Sequence, residues 1–162
     1  MKKKGLPPIA DSNSRVLILG TFPGPLSLES SQYYAHQRNV FWRIMADLLG
    51  FELNTKYNDR VRILKNSEIA VWDVLASCER EGALDRNIQN PIANNFKSFL
   101  ARHRRVEKVF FNGHAAESLY RRLVQSREMD GSIQYCYLPS TSPANARTLF
   151  EQKIAAWQTI VE

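Results

Sequence analysis

The sequence predicts a three-layer α/β/α domain with a central, mainly parallel four-stranded sheet. Three observations carry this expectation. Short continuous apolar runs recur at residues 16–19, 68–72, 108–111 and 135–138. Amphipathic stretches at helical spacing lie between them. The length, 162 residues, suits one domain spanning 1–162.

The first run, Val16-Leu17-Ile18-Leu19, ends at Gly20. It lacks the alternation of a half-exposed strand and is too short for a helix, so it fits a strand covered on both faces. Phe41, Ile44, Met45 and Leu48 then fall on one helical face after Asn39. The second run is Glu68-Ile69-Ala70-Val71-Trp72. Phe96, Phe99 and Leu100 mark another helix before the third run, Lys108-Val109-Phe110-Phe111. Ala115, Leu119, Leu123 and Val124 form a stripe before the fourth, Tyr135-Cys136-Tyr137-Leu138. Leu149, Phe150, Ile154, Trp157 and Val161 predict a long C-terminal helix. Strands alternating with helices build the layered class. No repeat, low-complexity segment or linker interrupts the pattern.

Composition excludes several classes. With 44% hydrophobic and 23% charged residues, the chain reads as globular and not disordered. No apolar run is long enough to cross a bilayer, and Gly5-Leu6-Pro7-Pro8-Ile9 after the basic N-terminus is no signal-peptide core. A cytoplasmic protein without membrane contact is expected, nucleoid-associated if the cell is bacterial or archaeal. Cys78 and Cys136 form no CxxC pair and lack a full ligand set, so they read as buried thiols with no metal and no cofactor. The net charge of +6 is compatible with a phosphate-rich partner. Arg102-His103-Arg104-Arg105 is the densest basic cluster, with Arg121-Arg122 further on; both suit DNA contact or solvated helix ends.

In parallel sheets, ligands bind beyond the carboxyl ends of the strands. Gly20-Thr21-Phe22-Pro23-Gly24 follows the first strand, a tight loop that lets backbone approach a ligand. It is neither a Walker loop nor a dinucleotide fingerprint. Downstream lies Tyr33-Tyr34-Ala35-His36-Gln37-Arg38-Asn39-Val40-Phe41-Trp42. The second strand leads into Asp73, the third into Asn112-Gly113-His114, and the fourth into Leu138-Pro139-Ser140-Thr141-Ser142-Pro143-Ala144-Asn145.

Together these segments resemble the uracil-DNA glycosylase superfamily. Its first motif is matched by Gly20 to Gly24, and its second by Leu138 to Pro143. The Ala-His-x-x-Asn-x-Phe-Trp segment of the mismatch-specific branch is matched by Ala35-His36, Asn39 and Phe41-Trp42. The resemblance covers nearly the whole chain. Two positions depart from the uracil-cleaving pattern. Phe22 stands where a water-handling Asp or Asn is usual, and Leu138 stands where His or Asn often opens the second motif. The pattern is similar to the hypoxanthine-DNA glycosylase branch, which lacks the first-motif carboxylate and uses an asparagine matched by Asn39.

The resemblance implies a monofunctional DNA glycosylase of base excision repair. It would flip a deaminated base, hypoxanthine first and uracil second, and leave an abasic site. The substrate would be double- or single-stranded DNA, met by a monomer. Asn39 is the expected catalytic residue, able to hold a water though not to act as a base; it also suits a helix cap. Gly20, Phe22, Tyr34, Asp73 and Asn112 are expected around the base, with Tyr34 stacking on it and Asp73 accepting its N–H. Tyr34 could equally be a core tyrosine, and Asp73 a turn cap. Pro23, Gly24, Ser140, Thr141, Ser142, Pro143, Asn145 and Arg147 are expected on DNA, with the 143–145 loop entering the minor groove. His36 is expected to shape its loop. The apolar Phe22 and Leu138 motivate an alternative, a catalytically silent binder of damaged or abasic DNA.

Overall fold

The computed structural model describes residues 1–125 and 131–162. Strand β1 (Lys2–Lys4) is followed by β2 (Val16–Gly20), then by three helices, α1 (Pro25–Ser30), α2 (Phe41–Leu49) and α3 (Tyr57–Asn66). Next come β3 (Ile69–Asp73), β4 (Leu75–Glu79), β5 (Gln89–Ala93) and α4 (Phe96–Arg102). The chain finishes with β6 (Lys108–Asn112), α5 (His114–Tyr120), β7 (Gln134–Leu138) and α6 (Phe150–Trp157).

The four apolar runs form one parallel sheet in the order β3-β2-β6-β7. Leu17, Ile18, Leu19, Val71, Phe110 and Phe111 are almost wholly buried, which is why these strands carry no alternation. Helices cover both faces. On one, Phe41 of α2 meets Trp157 of α6 edge to face at 6.0 Å. On the other, Phe96 of α4 meets Tyr120 of α5 at 5.1 Å, and Trp72 meets Phe99 at 4.9 Å. The three-layer architecture follows the expectation.

Three features differ from the sequence expectation. A small antiparallel sheet, β1-β4-β5, flanks the main one. Helix α3 buries only Leu64 outright, so its pattern is faint. The C-terminal helix is shorter than its stripe: Leu149 lies outside it and exposed, and after Trp157 the chain tightens into a 3₁₀ turn, Gln158–Val161.

The parallel sheet puts the strand ends to separate uses. At the amino edge, Arg15 pairs with Glu68 and Glu107, and Arg105 pairs with Glu68 and with Asn13. The basic cluster at 102–105 therefore sits opposite the carboxyl edge and is partly neutralised. At the carboxyl edge, Asp73, Gly20, Asn112 and Leu138 line up across β3, β2, β6 and β7.

Candidate active site

The carboxyl edge is built from residues that satisfy one another. Asn112 ends β6 and is 8% exposed. Its Nδ2 donates to the Thr141 hydroxyl at 3.0 Å and to the Tyr34 hydroxyl at 3.2 Å. Its Oδ1 accepts from the Thr141 N–H at 2.9 Å. Both amide hydrogens are thus spent, and Asn112 ties the 33–40 segment to the 139–145 loop. A hydrogen bond donated from its amide nitrogen to a base requires the Tyr34 hydroxyl to leave, while Oδ1 keeps a second lone pair.

Tyr34 adopts the left-handed backbone region, φ 54°. Such a conformation costs an ordinary residue about 1–3 kcal/mol and persists only where the surroundings fix it. Here the hydroxyl is fixed by Asn112, and one ring face lies on Phe41 at 4.1 Å and 25°. The ring is half-buried. Burial, with Asp73 nearby, pushes the phenol well above its ordinary pKa, so it stays neutral.

Asp73 is 4% exposed. Its Oδ2 is buried and has no hydrogen-bond partner among the described residues. Buried polar atoms are almost always paired, so an orphaned acceptor at a strand end marks a place for a donor. Burial raises the Asp73 pKa to about 7; Asp85 adds to the rise and Arg80 opposes it.

Gly20 is the spacer between these groups. A Cβ there would lie 2.5 Å from Asp73 Oδ1 and 3.0 Å from Tyr34 Oη. Gly20→Ala is therefore expected to displace both side chains. Thermal melting should show a loss of about 1–3 kcal/mol, and any activity of the site should fall at least tenfold. A variant as stable and active as the parent would show that the three groups do not form one unit.

Asn39 borders the same segment. Its Oδ1 accepts from the Phe41 N–H at 2.9 Å, one residue outside Val40, the N-cap of α2, so the side chain braces the helix entry without being its N-cap. A second lone pair and the whole amide remain for other work. The next residue, Val40, donates its N–H to Thr141 O at 3.1 Å, which locks this segment to the second-motif loop. Nδ1 of His36 accepts from the Arg38 N–H at 3.1 Å, so the histidine shapes the loop. Beside the segment opens a cavity of about 610 Å³, bordered by Tyr34, Asn39, Arg38, Arg43 and Arg60 among others.

The remaining expected residues divide by exposure. Phe22 is 7% exposed and lies under the Arg80 guanidinium, 5.3 Å from its ring centroid. Pro23 is also buried, its carbonyl accepting from Arg80 at 2.6 Å. Thr141 is 1% exposed and spent on Asn112. All three pack inward and hold the strand ends, as Asp73 and Asn112 do beside them. Gly24 is half-buried at the entrance to α1.

Ser140 and Ser142 accept from the backbone N–H groups of Ser142 and Ala144, which leaves their hydroxyl protons able to donate elsewhere. Asn145 braces the loop, donating to Ser140 O at 3.1 Å and accepting from the Thr148 hydroxyl at 3.3 Å. Pro143 is half-buried, and Arg147 is exposed. Gly113, at φ 96°, lets Ser140 approach; a Cβ there would lie 2.9 Å from Ser140 Cβ.

Sequence reasoning missed Arg80 and Asp85. The Arg80 side chain is 1% exposed and lies 3.7 Å from Asp85, while Thr21 donates to Asp85 at 3.2 Å. They sit in a polar stretch between short strands, and nothing in its pattern marks them.

Known proteins resemble the chain in sequence and in fold. The sequence model of the uracil DNA glycosylase superfamily matches residues 7–161. A hypoxanthine DNA glycosylase of Methanosarcina barkeri is 35% identical over 154 residues, covering 94% of each chain. Another, from Methanosarcina acetivorans, is 30% identical over 161 residues, covering 99% of this chain and 98% of that one. A solution NMR structure from Methanosarcina acetivorans, solved as a candidate uracil DNA glycosylase, superposes with a TM-score of 0.84 at 30% identity, covering 99% of this chain and 97% of that one.

Proposed function

The chain belongs to the uracil DNA glycosylase superfamily, and from that premise we propose that it is a monofunctional glycosylase that removes hypoxanthine from DNA, with uracil as the second substrate. Its class is that of a DNA glycosylase of base excision repair, and its substrate is DNA. The observation that carries the finer reading is the orphaned Oδ2 of Asp73, beside Gly20 and the Tyr34 hydroxyl.

Hypoxanthine presents an N1–H donor beside its O6 acceptor, and uracil presents N3–H beside O4. Asp73 supplies the acceptor that either N–H requires. Adenine has no donor at the corresponding ring nitrogen and would leave that acceptor unpaired, a loss of about 1–3 kcal/mol. Tyr34, backed by Phe41, offers the ring face away from it for stacking. Asn39 holds the attacking water. Ser140, Ser142 and Arg147 take phosphates, and the 143–145 loop follows the minor groove.

Breaking the N-glycosidic bond builds positive charge on the sugar and negative charge on the base. The chain's part is to place water and base, and to meet those charges with fixed dipoles. A panel of duplexes, each carrying one deoxyinosine, deoxyuridine or ordinary deoxyadenosine, tests the order. Hypoxanthine should be released fastest, uracil more slowly, and adenine not at all. Release of uracil ahead of hypoxanthine would overturn the substrate order.

A further inference from the structure

The proposed reaction leaves one proton without a destination. Water attacking the sugar must lose a proton, and the Asn39 amide cannot accept it. Asp73 is closed in and faces the base. Phe22, in the loop after β2, supplies no carboxylate, and its ring is turned inward.

We propose that Asp85 is the catalytic base of this site, delivering from outside the strand loop the carboxylate that Phe22 does not provide. The inference rests on the glycosylase reading above. Asp85 opens a 3₁₀ turn, Asp85–Asn87, between β4 and β5. It reaches back to the β2 loop, where the Thr21 hydroxyl donates to its Oδ2 at 3.2 Å. Its side chain is 43% exposed, so it is open to a substrate as Asp73 is not.

The groups around Asp85 are fixed. Arg80 lies 3.7 Å away and is itself pinned by Pro23 O at 2.6 Å and Gly82 O at 3.1 Å. Asp73 on β3 and the Tyr34 hydroxyl also lie within the field of its charge. Burial raises the Asp85 pKa, while Thr21 and Arg80 hold it down. A carboxylate made more basic by its surroundings suits proton abstraction.

The step balances. The water oxygen bonds to C1′ while one of its protons passes to Asp85. The C1′–N bond breaks, and its electron pair leaves with the base. The base takes a proton from solvent, and Asp85 returns its own to solvent.

The test is single-turnover release of hypoxanthine from a deoxyinosine duplex, at saturating enzyme, across pH 5–9. The wild type should lose rate as pH falls through the Asp85 ionisation. Asp85→Asn should be at least 100-fold slower, with that acidic limb gone, and with unchanged affinity for a duplex carrying a non-cleavable 2′-fluoro deoxyinosine. Thr21→Val keeps the carboxylate and removes its donor, so the limb should move to higher pH. This second variant decides the matter if Asp85→Asn does not fold. An unmoved limb in Thr21→Val, or an Asp85→Asn variant with the wild-type rate and profile, would overturn the role of Asp85 and leave the glycosylase reading standing. A wild type that releases no base from any lesion would overturn both.

Discussion

Replacing Asn39 by alanine is expected to lower the single-turnover rate of base release by about 10²–10³-fold, the scale of losing one preorganised polar group in a reacting site. Alanine also removes the oxygen that accepts the Phe41 N–H at 2.9 Å, so a stability loss of about 1 kcal/mol should accompany it. The two effects are separated by Asn39→Ser. Serine is a good capping residue but carries no amide and reaches less far. Its melting temperature should stay near that of the wild type while its rate remains low. If serine restores the rate together with the stability, Asn39 only braces the start of α2.

Asp73→Asn should weaken binding of inosine-containing duplex by about 10–30-fold, the difference between a charged and a neutral acceptor. It should also flatten the pH dependence of binding. The wild type accepts the base N–H best when Asp73 is ionised, so its affinity should rise as pH increases through about 7. Stability should move the opposite way. The Asp73 pKa lies above its ordinary 3.8, so the folded state holds this proton more tightly than the unfolded chain. That contribution is complete below pH 3.8, declines as pH rises, and is lost above about 7. At pH 8 the wild type therefore carries a buried charge that the Asp73→Asn variant lacks. The variant should be more stable there, by about 2–4 kcal/mol, and equal to the wild type near pH 4. Urea unfolding at the two pH values reads this directly. A variant less stable at pH 8 would show that the carboxylate is a structural partner and not an acceptor held open for substrate.

The parallel sheet was readable because its strands are buried on both faces and so appear as unbroken apolar runs. The small antiparallel sheet was not. Strand β1 is three lysines, and β5 carries Gln89, Asn90 and Pro91. Its order comes from pairing with β4 and from Lys3 donating to Arg80 O at 2.8 Å, neither of which leaves a hydropathy trace. The expected long terminal helix overran because a stripe does not reveal exposure, and Leu149 at 61% exposed belongs to no buried face.

The site divides in the same way. Gly20, Asp73 and Asn112 stand one residue beyond apolar runs, where the architecture of parallel sheets directs attention. Tyr34 and Asn39 came from the resemblance and the helix start. The inward turn of Phe22, Pro23 and Thr141 was hidden, because a short loop does not announce which side chains face the core. Arg80 and Asp85 were hidden for a related reason. A buried arginine held by two backbone carbonyls looks, in sequence, like any solvated charge.

The central claim is that this carboxyl-edge site hydrolyses the bond between a deaminated base and its sugar. The most direct test incubates the full chain, in excess, with a duplex carrying a single deoxyinosine and identifies the products by mass. The account predicts free hypoxanthine and a strand with one intact abasic site. A folded protein that binds the duplex and releases no base would contradict it, and would leave a binder of damaged DNA in its place.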